Sequence, residues 1–154
     1  MSEEDDIIYY KKGPKLTGII REGSVEVKNT ATGETLWGIE APNWVSKRLI
    51  PSVTAGHVCD HCIVLHTTDI VIKITDQCVT HTYAVGDCRH VAFDADGVKF
   101  GILTKDRDMK TIEFETGKSF VHGKCSEGFY MLGVIGDDAL VSDDHVAYSI
   151  PPRR

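Results

Sequence analysis

Residues 89–122 read RHVAFDADGVKFGILTKDRDMKTIEFETGKSFVH and contain four short runs of strand type. These are Val91–Phe93, Lys99–Leu103, Met109–Phe114 and Ser119–Val121. The joints are turns: Asp94-Ala95-Asp96-Gly97, Lys105-Asp106-Arg107-Asp108 and Glu115-Thr116-Gly117. Each carries Asp or Gly, which close the backbone through local side-chain hydrogen bonds or a positive φ. Four antiparallel strands with tight turns in a segment of this length predict one blade of a β-propeller.

Working outward, the same pattern opens the chain. Ile7–Tyr10, Lys15–Ile20, Ser24–Lys28 and Glu34–Ile39 fall on the strands above at a gapless offset of 84. Gly13 then falls on Gly97, Thr32 on Thr116 and Gly33 on Gly117. An offset of twice 42 predicts one more unit in between, built from Lys47–Val53, His61–Thr67, Asp69–Thr75 and Cys78–Val85. In Asp69–Thr75 the isoleucines alternate, the mark of a strand with a buried face. Pro51 demotes Lys47–Val53 to an edge or shifts its boundary. A fourth unit follows Gly123, with strands Phe129–Ile135, Ala139–Ser142 and His145–Ile150 and no fourth strand. The expectation is an all-β, propeller-like array of about four antiparallel four-stranded blades, the last incomplete. Residues 1–5 are expected to form a disordered acidic lead-in, 6–150 a single domain and 151–154 a tail.

DADGVKFGILTKDRDMKTIEFETGKSF in residues 89–122 and KGPKLTGIIREGSVEVKNTATGETLW in residues 6–39 resemble the repeats of WD-repeat and quinoprotein-like β-propellers. No unit ends in Trp-Asp, the equivalent positions being Asn29-Thr30 and Glu113-Phe114, and the only Gly-His pair is Gly56-His57. The buried His–Asp–Ser/Thr–Trp network of WD repeats is therefore not assigned, and no quinone cofactor is expected. The resemblance implies a platform for proteins or peptides; fold alone does not give function.

The chain has 154 residues, 42% hydrophobic and 26% charged, a composition that supports a folded core. A net charge of −6 argues against a nucleic-acid backbone as partner. No apolar run is long enough to span a bilayer, and the acidic start is the opposite of a signal peptide, so neither a membrane nor export is expected. Five cysteines without an export signal read as reduced thiols in the cytoplasm.

An incomplete last blade leaves unpaired N–H and C=O groups on an edge, which invites strand addition. Two chains associating, a partner chain supplying a strand, or the acidic N-terminus doubling back would each complete it. Pro151-Pro152 capping a short edge is the plainer alternative.

Other chemistry is weaker. Cys59-Asp60-His61-Cys62, with Cys78 and His81 further on, has zinc-ligand residue types. Residues three apart in the predicted strand over Cys78–His81 point to opposite faces, however, so buried thiols are favoured over a metal site. No helix follows the pair to activate it as a redox couple. Asp137-Asp138 and Asp143-Asp144 read as turn residues rather than catalytic carboxylates. No catalytic triad stands out, and no cofactor is expected. Trp44, in the connector Ala41–Trp44, is the expected partner-binding anchor. The function expected is a non-catalytic interaction module or assembly subunit, bound to a protein partner or to a second copy through the open edge. The alternatives are a zinc-binding protein organised by Cys59 and Cys62, and a hydrolase.

Overall fold

The computed structural model describes residues 7–40, 53–78 and 80–153, and every regular element among them is a strand. The first sheet is β1 (Ile7–Lys12), β2 (Leu16–Arg21), β3 (Ser24–Asn29) and β4 (Thr35–Glu40). The second is β5 (Val53–Val58), β6 (Cys62–Thr67), β7 (Ile70–Thr75) and β8 (Thr80–Ala84). The third is β9 (Cys88–Phe93), β10 (Lys99–Thr104), β11 (Asp108–Glu113) and β12 (Ser119–Lys124). The fourth is β13 (Tyr130–Ile135), β14 (Asp138–Ser142) and β15 (Ala147–Ile150). Each is a meander in chain order, so the protein is an all-β array of propeller-like blades, the last one strand short among the described residues.

Two expectations need correction. The first strand of blade two, expected over Lys47–Val53, is described as Val53–Val58 and so runs beyond its expected end; residues 47–52 lie outside the described residues. The ladder with β6 runs from Val53 opposite Thr67 to Val58 opposite Ile63, so the strand continues past the expected end at Val53; Pro51 is among the residues not described. Nor does one gapless offset relate blades one and three. Starting residues Ile7 and Cys88 differ by 81, Leu16 and Lys99 by 83, Ser24 and Asp108 by 84, and Thr35 and Ser119 by 84. The drift comes from longer turns in blade three. Asp94 supports one, its carboxylate accepting the N–H groups of Val98 at 2.8 Å and Lys99 at 3.1 Å. Arg107 closes the other at φ 69°. The β3–β4 and β11–β12 loops do superimpose. Gly33 and Gly117, at φ 75° and 72°, donate to Asn29 O and Glu113 O, each at 2.8 Å. An L side chain is disfavoured at such φ, which explains glycine at both places.

The described chain divides into two compact units, Met1–Thr68 with Ile72–Thr82, and Asp69–Val71 with Tyr83–Arg154. In the first unit, Ile20, Val25 and Val27 of blade one pack with Ile63, Leu65, Ile72 and Ile74 of blade two. Removing such side chains from water is the main stabilising term. The blades meet closely at Gly18, where a Cβ would lie 2.6 Å from Val58 Cγ2.

In the second unit, Ala92, Leu103 and Met109 of blade three pack with Met131, Ala139 and Val141 of blade four. Gly101, the structural equivalent of Gly18, receives Met131, whose Sδ lies 2.5 Å from the position of a Cβ. Phe100 and Phe114 form a tilted pair with ring centroids 4.9 Å apart, and Tyr83 lies against both. Three polar ties bind blade four to blade three. The buried Lys99 amine donates to Asp137 Oδ1 at 2.5 Å and Gly136 O at 3.2 Å. The Arg107 guanidinium donates to Cys125 O at 2.7 Å, Ser126 O at 2.5 Å and Phe129 O at 2.9 Å. Buried His122 bonds Thr111 Oγ1 at 2.9 Å through Nε2 and Ile150 O at 2.8 Å through Nδ1.

Candidate interaction edge

β15 is short because the turn before it consumes His145 and Val146. Asp143 Oδ1 accepts the N–H groups of His145 at 3.0 Å and Val146 at 2.9 Å, while Asp144 adopts φ 82°. These bonds hold the Asp143 carboxyl below the usual carboxylate range, that to Val146 first. The paired acids at 143–144 are thus turn residues, as their type suggested. Beyond the turn, Ala147 pairs with Ser142, Tyr148 with Val141, Ser149 with Leu140 and Ile150 with Ala139.

The register fixes which backbone groups face outward. Asp143 N–H donates to Val146 O at 3.3 Å, so this pair belongs to the hydrogen-bonded set. Alternation along an antiparallel ladder then turns the groups of Tyr148 and Ile150 towards β14 and those of Ala147 and Ser149 away from it. Among the described residues no strand pairs with that outer side. Pro151 and Pro152 lead to Arg153, whose N–H donates to Val121 O of β12 at 2.7 Å.

Side chains around the edge are apolar at its centre and charged at its ends. Tyr148 is 46% and Val146 48% exposed. On the face that carries Tyr148, a cavity of about 210 Å³ lies among Met109, Cys125, Phe129, Val141, Tyr148 and Ile150. Phe129 and Tyr148 form a tilted pair with ring centroids 5.7 Å apart. Asp143 and Asp144 precede β15. Arg153 follows it and lies over Gly123, where a Cβ would sit 3.2 Å from the arginine Nε.

The other sequence candidates separate. Cys59 and Cys62 are buried around the β5–β6 turn, where Cys59 N–H donates to Cys62 O at 2.8 Å. His61 instead pairs with Asp60 at 2.7 Å; that hydrogen bond raises its pKa against the opposing effect of burial. Cys78 is not in a strand, as expected, but in a turn at φ 62°, its N–H donating to Thr75 O at 3.0 Å. His81 lies on β8. Among the described residues no group of three or more His, Cys, Asp or Glu side chains could hold a metal ion. Trp44 lies outside the described residues. Sequence reading missed Lys99, Arg107 and His122. Alternation does place Lys99 in phase with Gly101 and Leu103, and His122 in phase with Phe120, but a charged or polar residue in phase with a buried face does not reveal its partner.

The fold defines an all-β protein built of propeller-like antiparallel blades. No protein-family model matches the chain, and no curated protein does. Among solved structures, the computationally designed Ika8 protein is similar at 16% identity and a TM-score of 0.52, over 96% of this chain and 46% of that one. The WD40 β-propeller domain of Doa1 gives 14% and 0.49, over 86% and 45%. The Pan2 WD40 domain of Neurospora crassa gives 10% and 0.48, over 95% and 46%. The chain spans less than half the length of these structures. No helix among the described residues is long and apolar enough to cross a membrane.

Proposed function

We propose that this chain is a protein-interaction or assembly module whose β15 edge takes up a strand. The observation that carries the reading is the course of residues 151–153, which takes the Arg153 N–H to Val121 O of β12 and leaves the outward groups of Ala147 and Ser149 unpaired by any described strand. Such groups bind extended segments through main-chain hydrogen bonds, with pockets beside the strand reading alternate side chains. The cavity beneath Tyr148 is such a pocket. None of the five cysteines is in a disulfide, which supports a reducing, cytosol-like setting. Trp44 is a further proposed contact, from its residue type alone.

Affinity capture from the native host, with the wild-type chain and Ala147→Pro compared, tests the reading. Proline removes an outward N–H and leaves the β14 ladder intact, because an edge position tolerates it. A captured protein lost with the variant supports strand uptake; an unchanged set contradicts it. Trp44→Ala in the same format tests the connector.

A further inference from the structure

Resting on that reading, we propose that the strand taken up is β15 of a second copy of this chain, paired antiparallel about a two-fold axis. The backbone selects one register. A symmetric antiparallel pair keeps corresponding residues on the same face, and only outward-facing residues can exchange hydrogen bonds across the seam. Ala147 and Ser149 are those residues. With Ala147 opposite Ser149 of the second copy, and the reverse, the outward N–H and C=O groups of both residues find partners. Sliding one copy so that Ser149 faces itself brings Ala147 opposite Pro151, which has no N–H to give.

Side chains favour the same register. It places Tyr148 opposite Tyr148 of the second copy in a non-hydrogen-bonded pair, where side chains approach most closely. Both rings lie on the face that holds the cavity, so the second ring extends the apolar wall formed by Phe129, Val141 and Ile150. Charge is complementary too. The acids Asp143 and Asp144 stand before β15 and Arg153 after it. Antiparallel pairing therefore brings the acidic end of each copy beside the arginine of the other. Among the described residues no carboxylate forms an ion pair with Arg153. On a chain of net charge −6, these local attractions offset the general repulsion between copies.

β15 has four residues, so the seam is small and belongs with transient interfaces, with dissociation constants on the order of 10–100 µM. Sedimentation equilibrium of the full chain across that range reads the association directly. The expected result is a monomer–dimer equilibrium that weakens as salt is raised. Ala147→Pro should weaken it by at least about tenfold, and Arg153→Asp by a smaller factor. A chain that stays monomeric throughout overturns the proposal, as does a dimer indifferent to both salt and Ala147→Pro. The salt series needs no variant, so a misfolded mutant does not obscure the result. A monomeric chain whose captured partner still depends on Ala147 overturns the second-copy assignment and leaves strand uptake standing.

Discussion

Close approaches at single residues set the sharpest expectations. A Cβ at Gly18 would meet the stiff, β-branched Val58, whereas one at Gly101 would meet the flexible thioether of Met131. Gly18→Ala should therefore destabilise by about 1–3 kcal/mol and Gly101→Ala by less, both read from urea unfolding midpoints. Tyr9 lies against Gly56, and burial pushes its phenol up to about 12. Its hydroxyl is buried without a hydrogen-bond partner among the described residues. Removing an unsatisfied hydroxyl relieves a desolvation cost, so Tyr9→Phe should leave the Tm unchanged or raise it. Lys99 holds the Asp137 carboxyl below its ordinary range, chiefly through their hydrogen bond. A carboxyl with a depressed folded pKa contributes stability above its unfolded pKa, and that contribution disappears as pH falls through the folded value. Unfolding midpoints of wild type and Asp137→Asn should therefore meet at acid pH and separate above the ordinary carboxylate range.

At the scale of elements, turns and strands carry different amounts of sequence information. Asp and Gly at 94–97, 115–117 and 143–144 announced turns because their chemistry acts over two or three residues. Strand type followed from alternation, as in Ile70, Ile72 and Ile74 of β7. Register was less legible. The last two strands of blades one and three keep a spacing of 84, but β2 and β10, and β1 and β9, do not, because turn lengths change without disturbing apolar alternation. The edge was legible as a missing strand; the outward orientation of Ala147 and Ser149 was not, because hydrogen-bond phase depends on how the Asp143 turn closes. The Arg107 clamp was equally hidden, since its three carbonyl partners carry no side-chain signature. Losing those charge-assisted bonds should make Arg107→Ala cost about 2–4 kcal/mol. Arg107→Gly should cost somewhat less, because glycine accepts φ 69°. Guanidinium unfolding of the two variants separates clamp from backbone strain.

At the scale of the whole molecule, blades are the unit of construction, and each compact unit is stabilised by side chains of one blade inserted beside a glycine of another. Blade four departs from the others in the strand it lacks among the described residues, and recognition is proposed at that departure. Amide hydrogen exchange resolved by residue in dilute protein tests the open edge most directly. Ala147 and Ser149 should exchange rapidly while Tyr148 and Ile150 are protected, a two-residue alternation that only an unpaired outer side produces. Equal protection of all four amides would mean that the outer side of β15 is already occupied, and would contradict the open edge on which the functional reading rests.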